Sequence, residues 1–265
     1  MEGFAIARVR GICKARNEAH IIKDSLDAWA PYCNDGIHVF DDFSTDETAE
    51  ICRAHPAVVE VISSNLMDPD RERAEWYNRQ TVLASAQRFI GPNDWVVYFD
   101  ADEQIEIFDN RILDDPGLGC VALMSFDVYV TEEDKHLPTA DYRKRRYCTP
   151  AFQVQPYFYR NNQDLAFKLP DQRNLTATWT QQGDYVLTGM LRHFGTGISV
   201  EHWDNKCQYY GEIFGPRYAE KWNNRRGKAV HTHDSFGVEL VLWDDLRTGK
   251  VQPDFSRADG RELVA

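Results

Sequence analysis

The chain has no run of apolar residues long enough to cross a bilayer, and Arg8 and Arg10 break up the apolar beginnings near its start. Neither a secretion signal nor a transmembrane segment is expected. It also lacks a Cys-x-x-Cys pair: Cys13, Cys33, Cys52, Cys120, Cys148 and Cys207 are scattered along 265 residues. That spacing argues against zinc ribbons and predicts free thiols in a reducing cytosol. Basic residues are outnumbered, 30 Lys and Arg against 42 Asp and Glu, a formal charge of −12. Non-specific nucleic-acid binding needs a basic face, so it is not expected. Two phosphate cradles are missing as well, Gly-x-Gly-x-x-Gly after the first strand and Gly-x-x-x-x-Gly-Lys anywhere. Any phosphate must therefore be held by a cation or by a local group of Arg and Lys.

What is present begins with Trp95-Val-Val-Tyr-Phe-Asp-Ala-Asp-Glu-Gln104. Five apolar or aromatic residues run straight into Asp100, Asp102 and Glu103, the pattern of a buried strand delivering carboxylates to its C-terminal end. In an open parallel sheet that end is where ligands bind. Two carboxylates one residue apart offer hard oxygen ligands to Mg²⁺ or Mn²⁺. The bland alternative is a loop or helix-capping acid.

The rest of the first half alternates strand and helix. Strands are expected over residues 7–14, 36–40, 58–63 and 95–99. Ile21, Ile22, Leu26, Trp29 and Ala30 recur at helical spacing, and a helix is expected from Ser44, as cap, to about His55, with Glu47 as its capping-box partner. A long helix is expected over 71–89. Such alternation predicts a mostly parallel α/β sheet with right-handed crossovers. Further strands are expected over 120–130, 151–160 and 186–193, and a helix over 199–222 capped by Ser199; the last forty residues show no periodicity. The ordinary composition, 43% hydrophobic and 27% charged, suits a soluble globular protein. A soft division is expected near Gln104, with residues 1–104 a nucleotide-sugar-binding half and 105–265 an acceptor-binding half of one compact domain.

Three motifs in register carry a family resemblance: Arg16-Asn17-Glu18 after the first strand, Asp41-Asp42-Phe43-Ser44-Thr45-Asp46-Glu47-Thr48 after the second, and Asp100-Ala101-Asp102-Glu103 after the fourth. Over roughly the first 105 residues the chain resembles the GT-A glycosyltransferases of the family 2 type. The resemblance implies a UDP-, GDP- or dTDP-sugar donor, a Mn²⁺ or Mg²⁺ ion bridging its diphosphate, and inverting transfer to the hydroxyl of a glycan or lipid-linked acceptor. It puts Ala15 and Arg16 along the nucleotide, Asp42 on the base, and Asp100 with Ala101 against the ribose or a metal-bound water. Asp102 would bind the metal, with His193 as a second ligand. A carboxylate base is expected downstream. Asp171 is the preferred choice, with Asp127, Asp184 and Glu201 open.

Other residues invite two readings. Arg71, Arg73 and Arg79 are either exposed helix arginines or contacts to the diphosphate or sugar, Arg79 being favoured. His193 is a ligand or a partly buried histidine bonded to backbone, and Asp46 a helix N-terminal acid. Arg143-Lys144-Arg145-Arg146 is a solvated loop, or a patch for a phosphorylated acceptor or an anionic membrane surface touched peripherally. His231-Thr232-His233-Asp234, after Arg225, Arg226 and Lys228, is a loop that could close over donor phosphates. Trp203, Tyr209, Tyr210 and Trp222 read as helix packing or as a sugar-stacking face. Three competing functions stay open. A haloacid-dehalogenase-type phosphohydrolase would use Asp100 as nucleophile, but its Asp-x-Asp falls early in the chain and continues with Thr or Val. A nucleotidyltransferase would need a basic N-terminal signature, and a catalytically silent nucleotide-sugar-binding module would lack the base.

Overall fold

The computed structural model describes residues 7–161, 165–167, 175, 185–213 and 216–257. β-Branched and aromatic residues form the first four strands, β1 (Val9–Ala15), β2 (Ile37–Asp41), β3 (Val58–Ser63) and β4 (Trp95–Asp100). Between them run α1 (Ile22–Trp29), α2 (Thr48–Ala54) and α3 (Arg71–Gln87). After β4 come β5 (Glu103–Ile107), β6 (Cys120–Tyr129), β7 (Tyr147–Cys148), β8 (Gln153–Arg160) and β9 (Val186–Thr196). Helices α4 (Val200–Ile213) and α5 (Pro216–Asn223), strand β10 (Val241–Leu242) and helix α6 (Trp243–Arg247) follow.

The chain divides into two compact units, Met1–Leu123 with Gln155–Gly189, and Met124–Val154 with Met190–Ala265. In the first, β1 pairs in parallel with β2 and β4, and β2 with β3, so the strand order is β3-β2-β1-β4. β8 closes onto β4 in the antiparallel sense, and the mixed α/β sheet is flanked by helices as expected. Side chains alternate between its faces. Ile12, Phe40, Val96 and Tyr98 pack with Val82, Leu83 and Ala86 of α3. On the other face the Trp29 ring from α1 stacks on Phe99 at 4.8 Å. Gly11 lies on this second face, where a Cβ would stand 2.8 Å from Cys33 Sγ and 2.9 Å from Ile37 Cγ1. Only glycine fits that close approach.

In the second unit β7 pairs antiparallel with both β6 and β10. Trp203 and Cys207 of α4 form a small core with Ala229, against which Trp222 of α5 packs. Arg145 is buried there, its guanidinium donating to the carbonyls of Asp134, Leu137 and Ile198 and ion-pairing with Asp134 Oδ1 at 3.2 Å.

Several local expectations are corrected. The second helix starts at Thr48, not Ser44. Ser44 Oγ accepts the Asn17 N–H at 3.0 Å instead, and Asp46 Oδ1 accepts the Thr48 N–H at 3.0 Å. Asp46 is thus an acid at the N-terminus of the helix, as expected. The helix expected over 199–222 is two: Ser199 does cap α4, taking the His202 N–H at 3.0 Å, but α4 ends at Ile213 and α5 opens on Pro216, which cannot continue a preceding helix. Of the basic run 143–146, Arg145 alone departs from the solvated reading and is interior; Arg143, Lys144 and Arg146 are exposed, Lys144 pairing with Asp141 at 2.9 Å and Arg146 with Glu133 at 2.5 Å. No helix among the described residues is long and apolar enough to cross a membrane.

Candidate functional site

The strand order makes β1 the switch point: the chain winds outward through β2 and β3, then returns to the other side of β1 as β4. Ligands of open α/β sheets bind outside the carboxyl ends of the strands at such a point. Lys14 and Ala15 end β1, Asp41 ends β2 with Asp42 next, and Asp100 ends β4, with Lys14 in register with Asp100 and Ala15 with Asp41. The Ala15 carbonyl accepts the Asp42 N–H at 2.9 Å. Two residues with left-handed backbone sit in these turns, Asn17 at φ 54° and Phe43 at φ 57°. Asn tolerates that conformation readily and Phe does not, so the turn after β2 is strained, as turns at ligand sites often are.

Asp42 lies at the centre of a cation cluster. Its carboxylate forms a two-pronged pair with Arg71, the first residue of α3, with Nη1 at 3.4 Å from Oδ1 and Nη2 closer still to Oδ2. Lys14 Nζ stands 3.4 Å from the same Oδ2, and Arg16 Nη1 donates to the Asp42 carbonyl at 2.6 Å. Burial pushes the Asp42 carboxyl up, but Lys14, Arg71 and Arg16 outweigh it and hold it below the usual carboxylate range. Glu75 links this cluster to β4: Oε1 takes Lys14 Nζ at 2.5 Å and Oε2 takes Arg79 Nη2 at 3.1 Å. Arg79 Nε donates to Tyr98 Oη at 3.0 Å, and Tyr98 donates to Asp100 Oδ1 at 2.6 Å.

The acids after Phe99 form a tight turn between β4 and β5. Glu103, fully buried, accepts the Asp100 N–H at 2.9 Å and the Tyr157 hydroxyl at 2.8 Å, and its carbonyl accepts Trp29 Nε1–H at 2.9 Å. Ala101 is buried inside the turn, and Asp102 at its tip is half-buried. The turn therefore presents Asp100 and Asp102 from a rigid base.

The remaining site expectations fall elsewhere. Arg73 is exposed and pairs with Asp68. His193 belongs to the second unit, where Nδ1 lies 2.6 Å from Asp127 Oδ1, and Gln153 Nε2 donates to Asp127 Oδ2 at 3.4 Å. Glu201 is exposed in the first turn of α4. Asp171 and Asp184 lie outside the described residues. Trp203 and Trp222 are helix packing, with Tyr210 stacked on Trp222 at 4.8 Å. Sequence reasoning missed Lys14, Glu75, Tyr98 and Tyr157. The i, i+2 spacing of Tyr98 and Asp100 was the available signal, since it puts both on one face of β4. A cavity of about 220 Å³ lies at the opposite end of β1, lined by residues such as Val9, Tyr32 and Asn34, and contains none of these acids.

The donor set suits a hard divalent cation. Among the described residues no group of three or more His, Cys, Asp and Glu could hold a metal by itself. Mg²⁺-type sites are commonly completed by substrate phosphates and water around one or two carboxylates, which is what this turn offers.

No family model matches the chain. It is 35% identical over 103 residues to an uncharacterised protein of Mycobacterium tuberculosis and to one of Mycobacterium bovis, a match covering 37% of this chain and 24% of each relative. The matched segment thus spans about a quarter of those relatives' length. Among solved structures, the chain is similar to Staphylococcus aureus TarS in complex with UDP, at TM-score 0.40 and 14% identity over 82% of this chain and 71% of that one. It is also similar to glucosyl-3-phosphoglycerate synthase from Mycobacterium tuberculosis in complex with Mn²⁺, UDP and glucosyl-3-phosphoglycerate, at TM-score 0.30 and 21% identity over 46% and 44% of the two chains. A third is mannosyl-3-phosphoglycerate synthase from Rubrobacter xylanophilus, at TM-score 0.29 and 23% identity over 51% and 44%.

Proposed function

We propose that the chain is a metal-dependent, inverting GT-A-type glycosyltransferase that moves a sugar from a nucleotide-sugar to a hydroxyl of a glycan or lipid-linked acceptor, in the cytosol. The observation that carries this reading is the braced acid turn at the switch point, set beside a cluster of cations from β1 and α3. An acidic protein with no glycine-rich phosphate cradle needs such a local arrangement to hold a diphosphate.

In this reading Asp102 would hold Mn²⁺ or Mg²⁺, and Asp100 with Ala101 would line the ribose or a water of that ion. When bound, the cation supplies positive charge for the departing nucleoside diphosphate. Ala15 and Arg16 line the nucleotide, and Asp42 with Arg71 faces its base. Arg79 adds charge behind the acid turn. The acceptor oxygen attacks the anomeric carbon as the bond from that carbon to the phosphate oxygen breaks. Asp171 takes the acceptor's proton. The resemblance makes His193 a further candidate ligand; within its own unit its Nδ1 lies by Asp127, and a carboxylate contact is the usual support for a metal-bound imidazole.

UDP-, GDP- and dTDP-sugars, each with and without Mn²⁺, test the reading by thermal shift. A ligand that prefers the native state raises the melting temperature by mass action. A Mn²⁺-dependent rise with one nucleotide class is expected. No shift with any of them at millimolar concentration would reject it.

A further inference from the structure

Tyr98 sits on β4 two residues before Asp100, so both side chains leave the same face of the strand. The tyrosine is 2% exposed and belongs to the core that α3 covers, its ring edge-on to Phe167 at 5.2 Å between centroids. A phenylalanine would fill that space equally well. The hydroxyl must then be explained, because a buried hydroxyl carries a desolvation cost unless it finds partners.

Arg79 and Asp100 fix its direction. Arg79 Nε is a donor only, so the Tyr98 oxygen accepts from it at 3.0 Å, and the single hydroxyl proton points to Asp100 Oδ1 at 2.6 Å. Arg79 cannot drift, since Glu75 Oε2 holds its Nη2 at 3.1 Å from the previous turn of α3. Glu75 is itself tied to β1 by Lys14 at 2.5 Å. The opposite side of Asp100 is gripped through its main chain, whose N–H donates to Glu103 Oε2 at 2.9 Å.

We infer that Tyr98, backed by Arg79, is a positioning residue that sets the rotamer of Asp100 before any ligand arrives. This rests on the cation-binding role proposed above for the acid turn. A carboxylate held by Tyr98, on a main chain pinned by Glu103, has already lost part of its rotational freedom, so binding has less to remove. Burial of Tyr98 also strengthens the Arg79–Tyr98–Asp100 relay, in which each hydrogen bond polarises the next.

The test is a Mn²⁺ titration of the full chain, following loss of the free-ion paramagnetic resonance signal, in wild type, Tyr98→Phe and Tyr159→Phe. Tyr159 is the control: it belongs to the same core cluster, and its hydroxyl donates to the Pro156 carbonyl at 2.9 Å, away from the acids. Tyr98→Phe should raise the Mn²⁺ dissociation constant about tenfold, the lower end of what loss of an outer-shell partner costs. Tyr159→Phe should lower the melting temperature to a similar extent and leave the dissociation constant unchanged. Arg79→Lys, which removes the donor to Tyr98 but keeps the charge, should weaken Mn²⁺ binding in the same direction, and it reads the relay even where Tyr98→Phe fails to fold. Wild-type affinity in both Tyr98→Phe and Arg79→Lys, or equal weakening in Tyr159→Phe, would overturn the positioning role. Absence of Mn²⁺ binding by wild type would instead overturn the metal site beneath it.

Discussion

Arg71 and Asp42 close a buried, two-pronged ion pair at the carboxyl end of β2, with 1% and 2% of their side chains exposed. Such a pair is costly to break, because each partner left alone is a buried charge with only longer contacts, Asp42 to Lys14 at 3.4 Å and Arg71 to Glu75 at 3.9 Å. Arg71→Ala should destabilise the protein by about 3–5 kcal/mol, less whatever Lys14 recovers by moving onto Asp42. Chemical denaturation measures it. Replacing both residues together, as Arg71→Met with Asp42→Leu, should cost less than the two single changes summed.

Glu103 is the brace of the acid turn and accepts from two donors, the Asp100 N–H and the Tyr157 hydroxyl. Glu103→Gln keeps the shape but turns one end of the side chain into a donor. With the amide oxygen kept on the Asp100 N–H, its NH2 donates to Tyr157 Oη, whose own proton loses its buried acceptor, costing about 1–3 kcal/mol. The expected result is a lower denaturation midpoint with the unfolding slope unchanged; an unchanged midpoint would mean that the turn holds without the brace.

His38 should make stability fall on mild acidification. It is buried on β2 between Arg10 Nη1 at 3.3 Å, Glu60 Oε2 at 3.0 Å and Ser85 Oγ at 2.9 Å, with Phe89 and Arg88 alongside. Burial, then Arg10, lowers its pKa, and the opposing pull of Glu60 does not restore it. With the folded pKa below the unfolded one, the unfolded chain takes up the proton first. Stability is therefore complete above the ordinary histidine range and declines as pH drops through that range toward the folded value. Melting temperatures from pH 7.5 to 5 should fall more steeply in wild type than in His38→Gln.

Much of the first unit is legible in the sequence because its signals are local. β3 falls at residues 58–63 as its β-formers indicate, and β4 ends in the acids as the run from Trp95 indicates. What escapes is set by contacts distant in sequence. Ser44 has the composition of a helix cap, but the Asn17 N–H from the neighbouring turn captures its hydroxyl, and the helix begins only at Thr48, whose N–H goes to Asp46. β5 escapes the sequence pattern because its buried residues begin with Glu103 and Gln104, and polar residues inside defeat the alternation by which strands are recognised. Glu75 resembles any helix acid. Its partners, Lys14 and Arg79, are 61 residues away and one helical turn away, and only the folded sheet brings all three together. Arg145 is hidden in a basic run that composition alone would leave in solvent.

Asp102 and Asp100 should separate in their effects. Asp102→Asn removes the charge at the tip of the turn and should abolish Mn²⁺-dependent binding of the sugar donor. Asp100→Asn keeps an oxygen facing Tyr98 and should weaken it partially. Titration of the donor against each variant, monitored by calorimetry at fixed Mn²⁺, distinguishes the two.

The central claim is most directly tested by incubating the protein with Mn²⁺ and a panel of UDP-, GDP- and dTDP-sugars and measuring release of free nucleoside diphosphate. Release with one nucleotide class is predicted, dependent on Mn²⁺ or Mg²⁺ and lost in Asp102→Asn while the variant keeps its melting temperature. Wild-type protein that releases no diphosphate from any donor and neither binds nor is stabilised by one, or release that persists undiminished in Asp102→Asn, would contradict it.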